Sequence, residues 1–78
     1  MEKIVGRTLY NTNRDTRIVG NGLNFLFTTS SEDYYLYLTE GKIIPLEHDG
    51  VVDWLRLNWG KFSVIDIERV KRYIKLDN

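Results

Sequence analysis

The hydrophobic pattern of the chain changes its period near Glu47, and this change constrains the fold more than any other sequence feature. Before Glu47, apolar and polar residues alternate, which is typical of half-buried β-strands. After Glu47, apolar residues recur every three or four positions, as they do along amphipathic helices. The sequence therefore predicts an α+β domain, with an antiparallel β-meander of four to five strands followed by two C-terminal helices packed on one face.

Turn-forming residues divide the first part of the chain into strands. The Asn21-Gly22 pair lies between two apolar runs. It predicts a hairpin with a primed turn, in which both central residues have positive φ. Pro45 has no amide hydrogen to donate, so it indicates an edge strand or a strand end. The predicted strands cover residues 3–10, 16–19, 23–27, 34–39 and 42–46.

The second part of the chain predicts helices near residues 50–59 and 64–75. Asp49 is the expected N-cap of the first helix, and Gly60 is the expected left-handed residue that ends it. Ser63 and Asp66 have the spacing of a capping box at the start of the second helix. We expect the core to be formed by these residues or their immediate neighbours: Trp54, Leu55, Ile67 and Val70 from the helices, and Ile4, Ile18, Phe25, Leu36 and Ile43 from the sheet.

Size and composition restrict the function. The 78 residues form a single domain, 1–78, because two halves would each be too small to bury a core. The chain has no cysteine, so we expect a cytoplasmic protein, located in a host cytoplasm if it is viral. No signal peptide or membrane-spanning run is present, which predicts no membrane partner. The formal net charge of zero argues against a general nucleic-acid binder.

The sequence shows no constellation of catalytic residues. His48 is the single histidine, and neighbouring loop residues cannot all point at one metal ion. No serine has the sequence context of an activated nucleophile. We therefore expect no enzyme activity, no metal and no cofactor. A hydrolase of phosphate esters or nucleotides is a third hypothesis, because a small fold can form a site from scattered residues.

A run of aromatic residues predicts a binding surface. Strand alternation places Tyr35 and Tyr37 on the sheet face opposite the helices, flanked by Asp33 and Glu40. Tyrosine is favoured at protein interfaces, although it is also simply a good strand former. The predicted partner is another protein, or a second copy of the chain in a homodimer. Stacking of nucleic-acid bases is disfavoured because this part of the chain is acidic.

The C-terminal helix pair offers an alternative function. Its proportions are those of a helix-turn-helix, in which the second helix would carry a basic set. This set consists of Arg69, Lys71, Arg72 and Lys75. The cations lie near the end of that helix rather than at its start, where base contacts usually occur. A solvated basic face is therefore favoured over a nucleic-acid-binding regulator.

Three segments carry a family resemblance: residues 6–12 (GRTLYNT), residues 36–42 (LYLTEGK), and residues 44–46 (IPL) followed by Trp54-Leu55. In this order the chain resembles small proteins of bacterial phages, plasmids and other mobile elements with the motifs G-K-x-Y-[DN]-T, L-Y-x-T-x-x-G and I-x-P-L…A-x-x-W-[LI]. The resemblance covers about residues 6–55. The chain departs from the group by a shorter turn around Gly41 and a second helix after Gly60.

The resemblance implies an origin in a mobile element and a role in host–virus interaction. The leading hypothesis is therefore a non-enzymatic protein-binding module of phage or mobile-element origin. It would inhibit a host defence complex, as an anti-CRISPR protein does, by occluding a surface of that complex.

Overall fold

A computed structural model describes residues 1–76 of the chain. Within this range six antiparallel strands precede two α-helices, which confirms the predicted α+β fold. The strands are β1 Glu2–Val5, β2 Thr8–Asn11, β3 Thr16–Gly20, β4 Asn24–Thr28, β5 Tyr34–Leu38 and β6 Lys42–Leu46. The helices are α1 His48–Asn58 and α2 Val64–Tyr73, joined through a short 3-10 turn, Trp59–Lys61.

The strands form two sheets rather than a single meander. β3 to β6 make a four-stranded antiparallel sheet in sequence order, and β1 and β2 form a separate hairpin. The predicted strand over residues 3–10 is thus wrong, because the chain turns back at Gly6 and Arg7. Val5 pairs with Thr8, and Gly6 has a φ of +62°. A glycine at the first central position of a two-residue turn is the requirement of a type II′ hairpin.

The turn between β3 and β4 differs from the primed turn that Asn21-Gly22 predicts. Gly22 has a φ of +97°, whereas Asn21 does not have a positive φ. The side-chain oxygen of Asn21 instead accepts hydrogen bonds from the amides of Leu23 (2.9 Å) and Asn24 (2.8 Å). Asparagine therefore organises this turn through its side chain, as in an Asx turn.

The helices pack on one face of the four-stranded sheet, as predicted. Leu26 and Leu36 project from the central strands into this main core. A β-bulge between Arg17 and Val19 interrupts the pairing of β3. A bulge breaks the strict alternation of side chains, which explains why Ile18 and Val19 are both buried in the same core. The helical segment contributes Val51, Leu55, Phe62, Val70 and Ile74.

Most of the predicted core is confirmed, with three corrections. Leu55, Val70, Ile18 and Leu36 are buried, and Trp54 and Ile67 lie partly buried at its margin. The prediction for Ile4 is wrong. Ile4 is 69% exposed because it belongs to the hairpin and not to the main sheet. Phe25 and Ile43 pack on the opposite face of the sheet, and Leu26, next to Phe25, occupies the main core.

The helix ends follow the predictions in part. α1 begins at His48 after Glu47, which makes no side-chain capping bond, so the prediction of Asp49 as N-cap is wrong. Gly60 lies within the 3-10 turn without a positive φ, so it is not a left-handed cap. The capping box is confirmed: the Asp66 amide donates to Ser63 Oγ (3.1 Å), and the Ser63 amide donates to Asp66 Oδ2 (3.0 Å). Within the described residues, neither helix is long and apolar enough to span a membrane.

Candidate functional site

The second face of the four-stranded sheet carries a cluster of aromatic residues. Phe25 pairs with Tyr37, and Phe27 pairs with Tyr35, so their four side chains project from the same side. Leu26 and Leu36 alternate with them and face the helices. The predicted placement of Tyr35 and Tyr37 on the face opposite the helices is therefore confirmed.

The β1–β2 hairpin covers half of this aromatic face. Tyr10 of β2 meets the ring of Tyr35 edge-on, with ring centroids 4.8 Å apart. Phe27 stacks on the other side of Tyr35, with centroids 5.2 Å apart and planes 11° apart. Tyr35 is consequently fully buried. The expectation that Tyr35 lies on an open surface is wrong, because the hairpin forms a second small core over it.

A buried carboxylate fixes the hairpin to the sheet. The Tyr35 hydroxyl donates to Asp15 Oδ2 (2.9 Å), and the Asn11 amide donates to the same oxygen (2.8 Å). Arg14 donates to Asp15 Oδ1 from Nη2 (3.0 Å) and from Nε (3.1 Å). The Asp15 side chain is 1% exposed, and its charge is satisfied by these four bonds. A buried charge with this many donors is the arrangement that offsets desolvation.

The surroundings of Asp15 shift its pKa. Burial by itself raises the pKa, but the hydrogen bonds from Asn11, Tyr35 and Arg14, with the charge of Arg14, together outweigh it. The pKa of Asp15 therefore lies below its ordinary value. The same contact has the opposite effect on its partner. Burial, together with the hydrogen bond to the Asp15 anion, raises the pKa of the Tyr35 hydroxyl.

The Asp15 contacts predict a specific dependence of stability on pH. A carboxylate with a depressed pKa stabilises the fold above its unfolded pKa of about 3.9, and this contribution is lost as the pH falls through the folded value. Asp15→Asn should lower the free energy of unfolding at pH 7, because its amide group places donors against Arg14. Urea denaturation at several pH values measures the free energy of unfolding of both proteins. The difference between wild type and variant should become smaller below about pH 4.

The exposed Asp33→Asn variant is the matched control for this measurement and should leave the neutral-pH stability within about 0.5 kcal/mol of wild type. If the difference in free energy of unfolding between wild type and Asp15→Asn stayed constant from pH 7 to below about pH 4, the ionised state of Asp15 would be contradicted.

The part of the aromatic face that the hairpin leaves uncovered is formed by Arg17, Phe25 and Tyr37, which we call the aromatic surface. Phe25 and Tyr37 are half-buried, and Arg17 is exposed. The Arg17 guanidinium lies over the Phe25 ring, 5.3 Å from its centroid. The ring also lies against the backbone of Gly20, where a Cβ would overlap Phe25 Cδ1. Phe25 is thus held between a cation and a glycine.

The structure does not bring the four residues of the predicted binding site together. Asp33 precedes one end of β5, and Glu40 follows the other end. Glu40 lies near the Tyr37 end, in the β5–β6 turn, and its carboxylate is 3.8 Å from the Lys42 ammonium. Tyr37 and Glu40 therefore belong to one end of the sheet. Asp33 belongs to the other end, and Tyr35 lies in the core between them.

Asp33 lines a polar cleft that the sequence analysis missed. The cleft lies between the β1–β2 turn and the β4–β5 loop and has a volume of about 240 Å³. Two arginines, four hydroxyl residues, one leucine and one aspartate line it: Arg7, Arg14, Thr8, Thr29, Ser30, Ser31, Leu9 and Asp33. These segments are distant in the sequence and meet because the hairpin docks on the sheet. Arg7 and Arg14 were the one available signal in the sequence, and their spacing belongs to no standard motif.

The basic residues of the C-terminal helix pair are all exposed. Arg69, Lys71 and Arg72 lie on α2, and Lys75 follows its last residue. Val70 turns inward between them and is fully buried. The first turn of α2 instead exposes two apolar side chains, Val64 and Ile65, at 72% and 68%. The outer face of α2 is thus apolar at its start and cationic at its end.

His48, the single histidine of the sequence, is exposed at the first position of α1. Across residues 1–76, no three acidic, histidine or cysteine side chains gather closely enough to hold a metal ion. No protein-family model, curated protein or solved structure matches the chain.

Proposed function

We propose that this domain is a non-enzymatic module that captures a partner protein through the aromatic surface of Arg17, Phe25 and Tyr37. The observation that carries the proposal is that the hairpin covers Tyr35 and leaves this end of the same aromatic face open. Aromatic residues and arginine are enriched at the energetic centres of protein interfaces. Glu40, exposed in the turn that follows the strand of Tyr37, adds a charged residue at this end of the sheet, as is usual around an interface centre.

The rings of the aromatic surface are held by contacts within the domain itself. Phe25 is held between Gly20 and Arg17. Tyr37 packs edge-on against Phe27, with ring centroids 6.4 Å apart. Side chains that are already fixed lose little conformational entropy on association, so more of the contact energy contributes to affinity. This favours recognition of a preformed protein surface.

The resemblance of residues 6–55 to proteins of mobile elements supports a host protein as the partner. Occlusion of a surface on a host defence complex, in the manner of an anti-CRISPR protein, requires shape and contact area but no catalytic group. The expectation that this chain carries no catalytic constellation agrees with such a role. A second copy of the chain is the other protein that this surface could bind.

The proposal is tested with the double variant Arg17→Glu/Tyr37→Ser in affinity capture from a nuclease-treated lysate of the bacterial host. Both side chains reach solvent, so circular dichroism should show a retained fold. A protein captured by the wild type should bind the variant at least about thirtyfold more weakly, the effect of losing roughly 2 kcal/mol at an interface centre. Light scattering of the purified protein tests in parallel whether a homodimer is lost.

The matched control is Arg69→Ala/Arg72→Ala, which removes two exposed charges from α2 and should leave capture unchanged. Undiminished capture by the Arg17→Glu/Tyr37→Ser protein would contradict the proposal. Loss of every partner on nuclease treatment, together with loss of binding in the α2 variant, would instead support the alternative nucleic-acid-binding regulator. That alternative is favoured only by the exposure of the cations on and after α2.

A further inference from the structure

We propose that the polar cleft between the β1–β2 turn and the β4–β5 loop binds a small oxyanion, a phosphate or carboxylate group, through Arg14 and Arg7. The cleft lies at the Thr28–Tyr34 end of the sheet. The aromatic surface lies toward the opposite end, where Phe25 pairs with Tyr37. The inference is therefore independent of the proposed partner protein.

Arg14 is oriented before any ligand arrives. Its Nη2 donates to the Leu9 carbonyl oxygen (2.9 Å) and to Asp15 Oδ1 (3.0 Å), and its Nε donates to Asp15 Oδ1 (3.1 Å). Nη1 makes no hydrogen bond with any residue in the described range 1–76, which leaves its two N–H groups able to donate. The Arg14 side chain is 50% exposed. A guanidinium that a buried carboxylate and a carbonyl oxygen hold in place, with Nη1 still able to donate, is suited to an oxyanion.

A chain of contacts links Arg14 to the core of the molecule. Asp15, which holds the guanidinium, is itself held by the Tyr35 hydroxyl and the Asn11 amide. Tyr35 is fully buried between Tyr10 and Phe27. Because a preorganised donor needs no rearrangement on binding, this chain of contacts favours ligand affinity.

The other donors of the cleft come from two tight turns. Arg7 is exposed in the β1–β2 turn and forms no ion pair within residues 1–76. Ser30 and Ser31 place exposed hydroxyl groups on the β4–β5 loop. Thr29 Oγ1 orders this loop by accepting hydrogen bonds from the amides of Ser31 (3.2 Å) and Asp33 (3.1 Å).

The size of the cleft fits the proposed ligand. A volume of about 240 Å³ is many times the roughly 10–15 Å³ that a cavity needs to hold one water molecule. The cleft can therefore accept a phosphate or carboxylate group with part of the molecule that carries it. Asp33 is the one acidic side chain in the lining and opposes an anion by charge repulsion. Its removal should strengthen binding, whereas removal of Arg7 should weaken it.

The test is a titration of the 15N-labelled full chain with inorganic phosphate, and separately with acetate, at an ionic strength kept constant with sodium chloride. Saturable shifts are expected for the amides of the β1–β2 turn and the β4–β5 loop. Dissociation constants should be in the millimolar range, and a titration to about 50 mM covers this range. The ratio of the dissociation constants for phosphate and acetate shows which oxyanion the cleft prefers.

Three variants test whether phosphate binds in the cleft. Arg7→Gln removes a side chain without hydrogen-bond partners in the described chain, so it should preserve the fold and weaken phosphate binding about tenfold. Asp33→Asn should strengthen binding a few-fold, and Arg56→Gln on α1 should have no effect. The absence of saturable shifts in the cleft, or equal phosphate affinity of wild type and Arg7→Gln, would overturn the proposal.

Discussion

Tyr35→Ala should reduce the free energy of unfolding by about 3–5 kcal/mol, the range for truncating a large buried aromatic residue. A domain of this size has a total stability of roughly 4–12 kcal/mol, so much of it would be lost. The ring is fully buried, stacked on Phe27 and met edge-on by Tyr10. Its hydroxyl also donates to Asp15, so the truncation removes one donor from a buried carboxylate.

Two variants separate the contributions of ring and hydroxyl. Tyr35→Phe keeps the ring but removes the bond to Asp15, and should cost about 1–3 kcal/mol. Tyr37→Ala removes a half-buried ring from the same strand and face, and should cost clearly less than Tyr35→Ala. Urea denaturation followed by tryptophan fluorescence measures all three. Equal destabilisation by Tyr35→Ala and Tyr37→Ala would mean that the hairpin does not cover Tyr35 in solution.

The difference between the two tyrosines also decides how the aromatic face can be tested. Replacing both together removes a core residue along with a surface residue, so loss of binding could not be separated from loss of folding. Arg17 and Tyr37 are the better pair to replace, since the buried residues Tyr10, Phe27 and Tyr35 of the second core remain in place.

Local sequence patterns predicted the architecture because each of them depends only on residues that are close together in the chain. The change of period near Glu47 separates strands from helices, because side chains repeat every 2 residues in a strand and every 3.6 in a helix. The capping box of Ser63 and Asp66 needs only a fixed spacing along the chain. The placement of Tyr35 and Tyr37 opposite Leu36 follows from strand alternation alone.

The covering of one face by the hairpin could not be predicted in the same way. Every residue of β1 is exposed, so this strand shows no buried side chain that would reveal its docking. Tyr10 is the single buried residue of β2. The contact that joins the hairpin to the sheet is polar: Asp15 lies in a segment whose composition is typical of a turn, yet its side chain is 1% exposed. Hydrophobic periodicity carries no information about such a residue.

The polar cleft was missed for a related reason. Arg7 and Arg14 become neighbours of Ser30 and Ser31 only after the hairpin packs on the sheet. The predicted partner-binding residues were chosen from one strand and the positions that flank it, whereas a cleft formed by two loops needs a tertiary contact. The β-bulge in β3 likewise breaks the alternation on which the predicted phase of that strand depended.

A substitution in the main core is the second change for which we expect a large loss of stability. Leu55→Ala should destabilise the protein by about 2–5 kcal/mol, because Leu55 is fully buried against the sheet and its truncation leaves a cavity. In a domain of this length each kcal/mol lowers the melting temperature by about 4–8 °C, so the midpoint should fall by at least about 8 °C.

Leu57 provides a matched control two residues along the same helix. It is 84% exposed, whereas Leu55 is fully buried, and the chemical change to alanine is identical. Alanine and leucine both favour helix, so Leu57→Ala should alter stability by no more than about 0.5 kcal/mol. Thermal melts followed by circular dichroism would measure both variants. If Leu57→Ala destabilised the protein as strongly as Leu55→Ala, the outer side of α1 would be buried in solution, and a second copy of the chain would be the first candidate to cover it.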